Sequence, residues 1–205
     1  MVSLLDSLQP IFGSKTKAQE VALLLQDAKK VVRQGFYAHE LSAVKNFCLQ
    51  KEISCATSKF KIIIDDTDDI YSNRGLKIPE KDLRQGMFFV YLSKSERLAL
   101  LAAYYEQLGN DRELGLLLGY PHCCVEFFCK NFSNSHTNLE QFPSNPYTNL
   151  FQRKNDAVLI SHFPCASSCE KSIALAKNYL RVLEEIDEAR AEELLRQLRV
   201  NKILK

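Results

Sequence analysis

Two short stretches of this chain carry the residue types best suited to chemistry. In LGYPHCCVEFF, residues 118–128, Cys123 and Cys124 stand side by side just after Pro121. In SHFPCASSC, residues 161–169, Cys165 directly follows Pro164, and Cys169 comes four positions later. Proline suits the first position of a helix, where its missing N–H has no intrahelical partner to lose. Each stretch therefore predicts a helix opened by proline, with thiols in its first turn. At that place the unpaired amides and the positive end of the helix dipole favour thiolate over thiol. Helical spacing puts Cys169 on the same face as Cys165, and Ile173, Ala176 and Leu180 continue that face inward.

If the two helix starts meet, four sulfurs converge. Two helix N-termini would then oppose the negative charge of a tetrathiolate centre. Soft thiolate ligands select iron–sulfur clusters or zinc. The leading expectation is an iron–sulfur cluster on Cys123, Cys124, Cys165 and Cys169, serving electron transfer or sulfur handling. One alternative is a structural zinc that fixes both helix starts in a binding or adaptor module. Another is a metal-free protein in which these thiols cycle with disulfides.

The spacing C-C, forty residues, C-x-x-x-C matches no standard zinc ribbon or bacterial ferredoxin run. Adjacent cysteines also differ by about 100° around a helix, so a shared centre needs a distorted helix start. His162, three positions before Cys165, is the candidate for a catalytic role or for further ligation, and His122, beside the pair, is a second candidate ligand. His39 and His136 have no chemical context. Cys48 and Cys129 read as small buried core residues.

LLGYPHCCVEFF together with SHFPCASSC resembles a family of functionally uncharacterised archaeal and bacterial proteins, marked by G-[YF]-P-x-C-C-V followed by H-x-P-C-x-x-x-C. The resemblance spans about residues 113 to 180. It nominates Gly119, Pro121, Cys123, Cys124, His162, Pro164, Cys165 and Cys169. It implies that these cysteines belong to one site and brings no established reaction.

The chain as a whole has the balance of a soluble globular protein: 205 residues, 46% apolar and 25% charged. A formal charge of +2 gives no electrostatic footprint for nucleic acid. DRELGLLLGYPHCCVEFF has the rhythm of a helix-turn-helix but no basic residue on the would-be reading helix, so no DNA partner is expected. The sequence contains no apolar run of the roughly 18 residues that a membrane span needs, and the first residues make a poor signal peptide. Seven cysteines, an odd count, fit a reducing cytoplasm and metal or redox use better than a disulfide framework.

Around the motifs, the pattern predicts a mostly α-helical α+β single domain, residues 1–205. Helices and a small sheet would occupy 1–112, and the cysteine motifs 113–205. Residues 16–33 carry a helical stripe, and 37–52 read as a second helix with Leu41, Val44, Cys48 and Leu49 on its inner face. A two- or three-stranded β insert is expected around residues 55–93, built on SKFKIII and GMFFVYLS. Asp65, Asp66, Asp68 and Asp69 would close a strand with an acidic turn, magnesium binding being the second reading. Ser95 and Gly109 bracket a helix, a shorter one ends at Gly119, and residues 133–157 form a long irregular crossing. The amphipathic stretch from Leu183 is expected to pack on its own domain, with a dimer contact as the second reading. Any protein or small-molecule partner is left open.

Overall fold

The computed structural model describes residues 3–64, 75–133 and 136–199. Among these residues the architecture is α+β: eight α-helices and a four-stranded antiparallel sheet. The acidic run Asp65, Asp66, Asp68 and Asp69 lies outside the described residues.

The aromatic and β-branched run MFFVYLS makes β4 (Met87–Ser93), one of the two inner strands. The sheet order is β1-β4-β2-β3, with β1 Val32–Phe36, β2 Ser54–Ile64 and β3 Gly75–Pro79. Alternation along β4 serves two cores. Val90 and Leu92 enter a large one, while Tyr91 enters a smaller one on the opposite face. The large core takes its helical side chains from α1 (Leu4–Phe12), α2 (Lys15–Leu25), α3 (Leu41–Gln50), α7 (Glu170–Ile186) and α8 (Glu188–Gln197). The smaller one takes Ala102 from α4 (Glu96–Leu108) and Leu114 from α5 (Asp111–Leu117). Leu183, Leu194 and Leu198, from the C-terminal amphipathic stretch, are fully buried in the chain's own core.

Two local readings change. The stripe over 16–33 is helical only as far as Leu25. Asp27 then turns left-handed (φ 58°), and Val32–Phe36 pairs antiparallel with β4 as a fourth strand. Positions 31 and 32 fit either a helical stripe or a strand start, and the β-branched pair Val31–Val32 falls on the strand side of the turn. Leu49, expected inside, is 81% exposed. The buried side of α3 runs through Val44, Phe47 and Cys48, and Leu49 lies about 100° further round.

The approach to the cysteine pair is set by two glycines. A Cβ at Gly115 would meet Val125 Cγ2 at 2.9 Å, so the lack of a side chain lets α5 and α6 (His122–Asn131) pack closely. Gly119 (φ 80°) ends α5 in a Schellman motif: its N–H donates to the Leu116 carbonyl at 3.0 Å, and the Tyr120 N–H to the Gly115 carbonyl at 3.1 Å. Gly119→Ala is expected to cost about 1–2 kcal/mol, because an L side chain is strained there. A lowered urea midpoint would show it.

Candidate metal centre

Pro121 is the N-cap of α6, one position earlier than expected, which leaves Cys123 and Cys124 in the first turn. The Pro121 carbonyl accepts both the Cys124 N–H at 2.8 Å and the Val125 N–H at 3.0 Å. That extra three-residue bond tightens the turn toward 3₁₀ geometry, and side chains there lean toward the helix start. Both sulfurs thus reach the same region, 3.9 Å apart.

The second corner is built differently from the reading above. Helix α7 begins at Glu170 with Cys169 as its N-cap, so Cys165 lies before the helix rather than in its first turn. The serine pair Ser167–Ser168 favours a turn over helix. The Cys169 N–H closes that turn on the Ala166 carbonyl at 3.0 Å. The irregular crossing pins it from outside: Thr148 Oγ1 donates to the Ser167 carbonyl, and the Ser144 and Ser167 hydroxyls lie 2.6 Å apart.

The two corners meet. Cys169 Sγ is 3.8 Å from Cys123 Sγ and 3.7 Å from Cys124 Sγ. The Cys165 N–H donates to Cys124 Sγ at 3.4 Å. All four sulfurs, of Cys123, Cys124, Cys165 and Cys169, lie within 4.8 Å of one another and could hold a metal ion. Helices α6 and α7 both begin at this point, where their N-terminal amides favour negative charge.

The sulfurs are not equivalent. Burial pushes the Cys124 thiol well up, and it raises Cys165 to about 11 with help from Cys169 and Cys123. Burial also acts to raise Cys169, but the Ser172 hydroxyl and amide and the neighbouring thiols outweigh it and bring Cys169 to about 7. Its thiolate is the most accessible of these three. Behind the sulfurs runs a polar relay: Cys124 Sγ is 3.1 Å from Ser172 Oγ, which is 2.9 Å from His162 Nε2. Burial, and then the nearby Lys29 and Arg153 cations, lower the His162 pKa to about 3, so its ring is neutral.

Residues 99–199 match the model of a family described as a protein of unknown function, DUF483. The match begins inside α4, takes in both cysteine corners and runs on past α8. It supports the likeness to an uncharacterised family and brings no activity with it. No curated protein and no solved structure matches the chain.

The other nominated residues fall at different distances from the sulfurs. His162 is buried and stands one hydroxyl removed from Cys124, outside the group of converging donors. His122 is exposed; its Nε2 lies 3.1 Å from Arg112 Nη2 and 3.6 Å from Glu126 Oε1, away from the cluster. Cys48 is buried as expected, but Cys129 is exposed. Helix α5 covers α6 at Val125, yet it has only seven residues, and Cys129 lies level with its exposed start, near Asp111 and Glu126. Ser172 escaped the sequence reading. Its one signal was its place three residues after Cys169, where a side chain can face a helix N-cap.

No helix among the described residues is long and apolar enough to cross a membrane.

Proposed function

We propose that this is a metal-binding protein in which Cys123, Cys124, Cys165 and Cys169 hold one ion, zinc before iron, as a closed tetrathiolate site. The observation that carries this reading is the sulfur spacing. A tetrahedral ion with metal–sulfur bonds of about 2.3 Å spaces its sulfurs about 3.8 Å apart. Three pairs in the cluster stand at 3.7, 3.8 and 3.9 Å. An iron–sulfur cluster, the leading expectation from sequence, interposes its own irons and sulfides and spreads its cysteines more widely. The spacing therefore favours the single-ion alternative.

Four protein ligands leave no open position, and closed sites of this kind act chiefly by holding structure. Here the ion would tie the start of α6 to the start of α7. The chain's own groups support thiolate at that point. Two helix N-termini face the sulfurs, the Cys165 amide donates to Cys124, and the Ser172 hydroxyl lies within reach of the same sulfur. A metal-bound thiolate has no proton to give. Ser172 would then donate to Cys124 and accept from His162 Nε2–H, which makes the relay a positioning device for the most buried ligand.

The test is to purify the chain without oxygen and measure zinc, iron and acid-labile sulfide in wild type and in Cys129→Ser. One metal ion per chain without sulfide is expected in both proteins. Stoichiometric labile sulfide would overturn the single-ion reading, and metal-free protein would overturn metal binding altogether.

A further inference from the structure

A cavity of about 400 Å³ lies against the thiol centre, between the sheet, helices α4 to α6 and the segment carrying His162. That volume is in the range of small-molecule sites. Its lining includes Cys124 and His162, the rings of Phe89, Phe128, Phe132 and Phe163, and a charged group of Arg33, Glu106 and Asp111.

The charges of that group do not cancel. Glu106 grips Arg33 with both oxygens, one bond going to Nε and the other, at 2.9 Å, to Nη2. The Arg33 guanidinium also lies 3.6 Å from the centre of the Phe89 ring. Arg33 and Glu106 thus neutralise each other. Asp111, exposed at the start of α5, makes no hydrogen bond or ion pair among the described residues, which leaves this group with one net negative charge. Arg153, also in the lining, lies over Phe163 at 5.5 Å and near the Glu140 carboxylate.

His162 supplies an independent sign of a ligand. It is buried to 6% exposure, and its Nδ1 has no hydrogen-bond partner among the described residues. Buried polar atoms are seldom left so. With Nε2–H directed to Ser172, Nδ1 of the neutral ring carries a lone pair and needs a donor.

The geometry points to a binding site for a small organic cation: an aromatic body among the phenylalanines, an ammonium group held by Asp111, and a polar N–H at the His162 end. Aromatic faces attract cations as well as stack on rings, so body and charge are recognised by the same wall. The His162 tautomer rests on the metal–thiolate reading, whereas the cavity and the Asp111 charge do not.

Tryptamine and indole-3-acetate, matched in ring and opposite in charge, are the probes. Calorimetric titration of the metal-loaded protein is expected to show saturable one-to-one binding of tryptamine and preference for it over indole-3-acetate. Asp111→Asn, at an exposed helix start and checked for fold by circular dichroism, should weaken tryptamine roughly tenfold. Bound tryptamine should also shift the His162 Nδ1 resonance in ¹⁵N spectra. Failure to bind either probe at millimolar concentration, preference for the carboxylate, or unchanged affinity in Asp111→Asn would overturn the site. Metal stoichiometry measured on the same samples keeps the two claims apart. A metal-free protein that still shows the Asp111-dependent preference refutes only the metal, and a metal-loaded protein without that preference refutes only the cation site.

Discussion

Cys124→Ser is expected to reduce bound metal from one ion per chain to a small fraction of that, and to lower stability by about 3 kcal/mol or more, roughly 6–12 °C in Tm for a chain of this size. Cys124 is the hub of the cluster. It is 1% exposed, its sulfur lies 3.9 Å from that of Cys123 and 3.7 Å from that of Cys169, and it receives the Cys165 amide. Serine keeps the volume nearly unchanged but offers a hard oxygen that binds zinc or iron far less well beside thiolates. The loss should be largest when the wild type is loaded and should shrink when both proteins are stripped with a chelator. That difference separates a lost ligand from a lost packing contact. Thermal melts with and without chelator, beside metal analysis, read both effects.

The second large effect lies away from the sulfurs. Lys29→Met is expected to cost about 3–5 kcal/mol, because it leaves a carboxylate buried without its counter-charge. Lys29 Nζ is 2.7 Å from Glu20 Oε1, with side chains 2% and 12% exposed. The ammonium also contacts Ser161 Oγ at 3.4 Å and lies between the rings of Tyr120 and Tyr179. It thereby joins α2 to the segment before Cys165 and to α7. Replacing both partners, Lys29→Met with Glu20→Met, should restore most of the stability, since an apolar pair removes both desolvation costs.

The same pair has a pH signature. Burial acts to raise the Glu20 pKa, but Lys29 overrides it and holds the carboxyl below its ordinary value. A depressed acid contributes stability above its unfolded pKa and loses it as pH falls through the folded value. For Lys29, burial acts to lower the pKa and Glu20 overrides it, so the raised amine loses its contribution only in strong alkali. Wild type should therefore lose stability below about pH 4. Lys29→Met, whose Glu20 gains from protonation, should converge on it there. Denaturant melts from pH 3 to 8 measure this, and a constant gap between the two proteins would contradict it.

Much of the centre was legible because its signals are local. Pro121, the adjacent cysteines and Gly119 announce a helix end and a helix start within a few residues, and the structure places both there. The second corner was legible in its residues but not in its conformation. The Ser167–Ser168 turn replaces the helical turn that a four-residue spacing implied. Strand β1 was hidden for a related reason: a five-residue edge strand is too short for its alternation to stand out from a helical stripe. Exposure at Cys129 and Leu49 depends on where neighbouring helices stop, which local periodicity does not encode. Ser172 and the Lys29–Glu20 pair belong to tertiary geometry, since their partners are distant or lie off any single helical face.

The proposed function requires one ion to sit among four sulfur atoms. X-ray absorption at the metal edge of the anaerobically purified protein addresses this directly. A single shell of four sulfur neighbours at about 2.3 Å is expected, with no metal–metal scattering. A second shell of short metal–metal distances, or a first shell dominated by nitrogen or oxygen, would contradict it.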